Sequence, residues 1–220
     1  RLEQTTGVRT PHSTLHGWVL DTKADQMDLP PDAMGALPAT VVADGTKYKG
    51  AGAVRGDIKA LIGVTAAGEL VPLGTWTSGE SWRQVADDLT RRSIRFPAGT
   101  VLVADAESGL AEWLAEHVNL YQRCHWHTIR DLYYAMWKDH GTIDEIRPVR
   151  DALKAVIGIE LPKEDFEAVP ESEKDDIEAR MEKAEAQVEE LIRHLAGRGF
   201  HKTAQYLDRS RRYMFSYLRR

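Results

Sequence analysis

At about residue 141 the apolar periodicity of the chain changes character, and that change limits what it can fold into. Before this point short alternating or continuous apolar runs are mixed with helical spacings; after it every strong pattern is helical. The expectation is an α/β part followed by an all-helical part. Residues 39–49 (ATVVADGTKYK) are rich in β-branched side chains, and 54–65 (VRGDIKALIGVT) alternate through Ile58, Ala60, Ile62 and Val64, so both read as strands. A turn at Ala66, Ala67 and Gly68 leads into 69–77 (ELVPLGTWT), where Pro72 cannot donate to a ladder and favours an edge or a bulge. These three strands form a meander. Ser81 and Gln84 make a capping-box pattern ahead of Trp82, Val85, Ala86 and Leu89, which predicts a helix over 81–92.

Residues 100–105 (TVLVAD) form a short apolar run ending in an acid, the pattern of a buried strand whose C-terminal end opens on a site. Ser108 can cap a helix reaching about Val118, and 120–125 (LYQRCH) read as a fifth strand. Thr128 with Asp131 then caps a helix bearing Ile129, Leu132, Tyr133, Met136 and Trp137, ended by Gly141. This order predicts an α/β fold with one mixed five-stranded sheet flanked by helices. Beyond it come a weaker helix over 143–157 and a Pro- and acid-rich link over 160–171. A long helix after Ser172 carries one narrow stripe, Ile177, Met181, Ala184, Val188, Leu191 and Leu195, with Gly197 at its C′ position. A last helix over 200–218 sets Tyr206, Tyr213, Phe215 and Tyr217 among arginines.

Charge bears on which partners are open to such a chain. The 220 residues hold 29 Lys and Arg against 34 Asp and Glu, a formal charge of -5, which excludes a uniformly basic nucleic-acid coat. The distribution is uneven: residues 160–190 hold 13 acidic and 4 basic side chains, and 193–220 hold 8 basic and 1 acidic. A single cysteine, Cys124, excludes a disulfide framework and suits a reducing cytosol. No apolar run reaches the roughly 20 residues a bilayer span needs, so a soluble chain with no membrane partner is expected.

Two acids stand where strand propensity disfavours them. Asp44 follows Val41, Val42 and Ala43 in the first strand, and Asp105 ends the fourth. Taken alone, Asp44-Gly45 is a good hairpin-turn dipeptide, and Asp105 could merely cap a turn. Together, on neighbouring strands of one sheet, they offer the converging oxygen ligands that a divalent cation needs. Cys124-His125-Trp126-His127 is the densest cluster of reactive side chains. A structural zinc site takes about four ligands and only one cysteine exists, which disfavours it. From residue chemistry alone, a small buried Cys124 and a His127 beside a helix start stand level with a catalytic role.

The DGT acid of the first strand, the helix opening Gly79-Glu80-Ser81-Trp82, the run VADAESGL around Asp105 and the Cys-x-x-His of Cys124 and His127 together resemble Mutator-like DDE transposases, including their prokaryotic insertion-sequence relatives. The resemblance covers about residues 40–140. It implies an RNase H-like catalytic core over 36–141, with Asp44 and Asp105 as the first two catalytic and metal-binding acids and Cys124 with His127 as the family signature. Residues 142–220 correspond to an all-helical insertion domain, and 1–35 to the tail of an upstream DNA-binding region or a linker. The family's third acid, a glutamate on a helix after the insertion, is then expected beyond Arg220. With Arg1 rather than methionine first and the last helix uncapped, the chain reads as an excised fragment, incomplete and with little activity.

The resemblance further implies two Mg²⁺ ions, with Mn²⁺ as a substitute, acting in DNA cleavage and strand transfer. It implies DNA as partner, both element ends and target, a homo-oligomer in the active complex, and a cytoplasmic, nucleoid-associated setting. Candidate phosphate contacts are Arg91, Arg92, Arg123 and Arg130, then Arg209, Arg211 and Arg212, the last run interleaved with aromatics. A catalytically dead RNase H-like module that binds DNA or a partner is the alternative, told apart by whether a glutamate-bearing helix follows. A Cys/His metal-binding regulator would instead require stoichiometric zinc.

Overall fold

The structure is a computed structural model that describes residues 40–49, 55–65, 68, 70–77, 80–105, 110, 118, 120–162 and 168–218. Strands β1 (Thr40–Lys49), β2 (Arg55–Val64), β3 (Leu70–Trp76), β4 (Val101–Ala104) and β5 (Leu120–Arg123) form one sheet of order β3-β2-β1-β4-β5. The first three pair antiparallel; β4 runs parallel to β1 and β5 parallel to β4. The mixed sheet is the expected one. Asp44 and Gly45 make no turn: β1 runs through them, with Asp44 opposite Ala60 and Gly45 opposite Lys59. The ladder on both sides of the dipeptide outweighs its local turn preference. Pro72 sits opposite Ile62 where the β2–β3 register shifts, the irregularity that its missing N–H favours.

Helix α1 (Trp82–Arg91) has the full capping box of Ser81 and Gln84 and buries Trp82, Val85, Ala86 and Leu89. These pack with Val41, Ala43, Leu61, Leu102 and Ala104. Since strand side chains alternate faces, Asp44 falls on the face away from α1, as does Asp105 if its strand is continued one residue. The helix expected from Ser108 to Val118 lies outside the described residues, apart from buried Leu110 and Val118.

Helices α2 (His125–Lys138), α3 (Ile143–Ile157), α4 (Glu171–Gly197) and α5 (His201–Arg211) build a second core with the short 3₁₀ turn Ser216–Leu218. Leu132, Met136, Leu153, Val188, Leu195, Leu207 and Phe215 are among its buried members. Three expectations are corrected here. α2 begins at His125, not near Thr128, because the Cys124 carbonyl accepts both the backbone N–H and the hydroxyl of Thr128, each at 2.9 Å. α4 ends through Gly199, not Gly197: Gly199 has φ +88°, its N–H donates to Ala196 O, and Phe200 N–H donates to Leu195 O, a Schellman closure.

The last helix stops at Arg211 instead of running to 218. Residues 213–217 turn back onto the edge of the sheet, where Tyr213 O accepts the N–H of Arg123 at 2.8 Å. The Gln122 side chain donates to Met214 O at 2.9 Å and accepts from Tyr217 N at 3.1 Å. An open edge strand with unpaired backbone groups is thereby covered. No helix among the described residues is long and apolar enough to cross a membrane.

Candidate metal centre

The parallel register of β1 and β4 aligns Val41 with Leu102 and Ala43 with Ala104. The next residues along the two strands are Asp44 and Asp105, so the pairing brings two acids side by side where β4 ends. A third element closes over them. Cys124 N–H donates to Ala104 O at 2.8 Å, which ties the start of α2 to the end of β4 immediately before Asp105. One helical turn on, His127 Nε2 lies 3.7 Å from Asp44 Oδ1.

One ligand atom from each of Asp44, Asp105 and His127 falls within 4.8 Å of the others. Asp44 is exposed, Asp105 half-buried and His127 only 6% exposed, so the group opens to solvent on its acidic side. The Gly45 N–H donates to Asp44 Oδ1 at 2.8 Å and orients that carboxylate. Tyr121 OH donates to the backbone oxygen of Asp105; burial pushes its pKa up to about 12, against the opposing pull of Arg123, so it stays a donor. His127 Nδ1 is buried with no hydrogen-bond partner among the described residues. The ring nitrogen beside the acids is Nε2, and a divalent cation is a natural use for an imidazole placed next to two carboxylates. The donor set of two carboxylates and one imidazole fits a divalent metal and is too small for a closed structural zinc site.

Cys124 holds its place through backbone bonds and is outside the cluster among the described residues. His125 turns away from the acids to Met214 O, 2.8 Å from Nε2; burial lowers its pKa, opposed by that hydrogen bond. That His127 joins the two acids was the part sequence spacing left open. Its signal was its place three residues past Cys124, at the first turn of a helix that the end of β4 anchors.

Beside the cluster lies a cleft of about 1040 Å³ with Asp105 in its wall and five basic side chains, Lys47, Arg123, Arg130, Lys138 and Lys202, against three acidic ones. Arg123 is no surface arginine: it is 1% exposed, because its Nη2 donates to Asp131 Oδ2 at 3.1 Å and to Tyr206 OH at 3.3 Å in the seam between β5, α2 and α5. Its Nε and Nη1 have no partner among the described residues. Arg130 bonds Asp131 at 2.9 Å and lies 5.1 Å from the Trp126 ring centroid.

The remaining arginines are elsewhere. Arg91 and Arg92 bind Asp88 on α1, on the far face of the sheet, and Arg92 also donates to Leu73 O at 2.9 Å. Arg209 is exposed on α5, while Arg211 pairs with Asp208 at 3.0 Å and approaches Glu189 of α4 at 3.9 Å. Arg212 lies over Tyr213, 4.3 Å from its ring centroid. Arg211 and Arg212 therefore meet the acidic face of α4, and Phe215 is buried in the helical core.

No curated protein matches the chain. The family model described as "Transposase, Mutator family" matches residues 36–206, a span that takes in the whole sheet, both acids, His127 and most of the helical part. On that match the chain belongs to the Mutator family of transposases.

Proposed function

We propose that Asp44, Asp105 and His127 form the metal-binding centre at which this transposase chain cuts and joins DNA strands. The carrying observation is the convergence of three ligand atoms to within 4.8 Å from β1, the end of β4 and the first turn of α2. Strand order β3-β2-β1-β4-β5, with three antiparallel strands followed by two parallel ones, supports an RNase H-like core. The two acids then take the place of the first two carboxylates of a DDE set, and 142–220 that of the helical insertion. Mg²⁺, with Mn²⁺ as a substitute, is the cation this oxygen-rich set favours.

When bound, divalent cations at such a site supply stabilisation of the negative charge that develops on phosphate oxygens as one P–O bond forms and another breaks. The chain's own residues do the rest. Asp44 and Asp105 supply the negative charge that attracts the cation, and the N–H of Gly45 fixes the angle of one of them. The buried ring of His127 closes the site on its dry side. The basic cleft beyond Asp105 supplies the positive potential that draws a polyanion toward an otherwise acidic site. Element ends and target are the DNA partners on this reading, and the active complex is a homo-oligomer.

Titrating the chain with Mn²⁺ and following the free-ion electron paramagnetic resonance signal tests the centre. Saturable binding that Asp44→Asn and Asp105→Asn each abolish supports it. Binding that survives both substitutions contradicts it.

A further inference from the structure

α2 is apolar on two sides. It buries Leu132, Ala135 and Met136 in the helical core, yet Trp126 is 64% exposed, Tyr134 51% and Trp137 67%. At helical spacing Trp126, Arg130, Tyr134 and Trp137 fall on one face, and that face begins one residue before His127. Large aromatics gathered in solvent mark an interaction surface. The same face borders the basic cleft: Arg130, Tyr134, Trp137 and Lys138 line it, as do Lys47 and Lys202.

Rings and cations interleaved in this way fit one kind of ligand. A nucleic-acid strand presents flat bases that stack on aromatic rings and phosphates that meet guanidinium and ammonium groups. A base must be unpaired to expose its face, and duplex DNA offers only phosphates and groove edges. A second protein copy would cover the aromatics but would leave Lys47, Lys138 and Lys202, which have no ion pair among the described residues, without an anionic partner.

We propose that the exposed aromatic face of α2 is a stacking surface for unpaired bases of a DNA strand, with its phosphates held in the adjoining cleft by Arg130 and Lys138. The inference rests on the reading that DNA is handled at the neighbouring metal centre, and it names the state of that DNA: locally single-stranded beside the acids. Trp126 and Trp137 are the stacking residues and Lys138 is the phosphate anchor.

The test uses the 220-residue chain with chelator and no metal, a fluorescein-labelled oligothymidylate of about 12 nucleotides, a length within the span of single-strand sites, and the same strand annealed to its complement. Tighter binding of the single strand is expected. Trp126→Ala and Trp137→Ala, both at exposed positions, each weaken it by about 5- to 150-fold, the range that one lost base stack implies. Lys138→Gln, at an exposed position of the cleft, reduces the slope of log affinity against log salt by about 0.7, as for one lost phosphate contact. Leu70→Ala, at an exposed apolar residue of β3, leaves binding unchanged.

Tryptophan variants that keep their helical circular dichroism and bind the single strand as tightly as the parent overturn the proposal. So does a dimer, seen by sedimentation, that Trp137→Ala dissolves without any effect on the strand. Failure of the metal-centre reading is separable: Mn²⁺ that does not bind while the tryptophan effects persist removes that reading and leaves this one.

Discussion

Asp139, the C-cap residue of α2, accepts the backbone N–H of Thr203 at 2.8 Å, so the end of one helix caps the start of another. The same carboxylate takes the Thr203 hydroxyl at 2.8 Å and the Lys202 N–H at 3.2 Å. Replacing it by alanine leaves two amides of α5 without their acceptor, and a loss of about 1–2 kcal/mol in denaturant unfolding is expected.

The carboxyl of Asp139 is held below its ordinary value of 3.8: partial burial would raise its pKa, but the hydrogen bonds from Thr203 and Lys202 outweigh it. A folded-state value below the unfolded one means that the unfolded chain binds more protons in acid. The contribution of Asp139 is thus fully present above about pH 4 and is lost as pH falls toward the lower folded value. Asp139→Asn should flatten that part of the stability–pH curve, as measured by urea midpoints across the acid range.

Gln122 is 4% exposed and joins β5 to the returning segment through Met214 O and Tyr217 N. Gln122→Ala strands the Tyr217 amide, while Met214 O keeps the His125 ring, so a cost of about 1–2 kcal/mol is expected. Hydrogen exchange at the amides of Tyr217 and Arg123 should quicken more than at α1, which packs in the other core.

His140 has φ +63° at the C′ position of α2, followed by Gly141, whose N–H donates to Met136 O at 2.9 Å. A left-handed conformation costs a non-glycine residue about 1 kcal/mol. His140→Gly should therefore stabilise the chain by roughly that amount in thermal unfolding. Gly141→Ala should do the reverse, since a Cβ there would stand 3.1 Å from both Met136 O and Phe200 Cε1.

His127→Ala removes the imidazole of the proposed centre while leaving both carboxylates. A loss of Mn²⁺ affinity of at least about tenfold is expected, the lower bound already set by outer-shell partners of metal ligands. Calorimetric titration that shows parent-like affinity for the variant would place His127 outside the centre.

The sheet was legible from sequence because its signals are local: β-branched alternation through Ile58 to Val64, a capping box at Ser81, and an apolar run closed by Asp105. The pairing of Asp44 with Asp105 followed from strand order. What sequence did not carry is tertiary. Tyr133 and Trp137 share helical spacing with Leu132 and Met136, so periodicity counted them with one stripe, whereas packing buries only the latter two. The aromatics among the terminal arginines looked like a nucleic-acid surface, but Phe215 lies in the core and Tyr217 donates to Ile159 O. Arg123 looked like a surface cation because its partners, Asp131 and Tyr206, lie on two separate helices.

The most direct measurement of the central claim is a Mn²⁺ soak of a crystal of the 220-residue chain, with data collected at the manganese edge. The account predicts an anomalous peak within coordination distance of Asp44, Asp105 and His127. A peak elsewhere, with none at these three side chains, would contradict it.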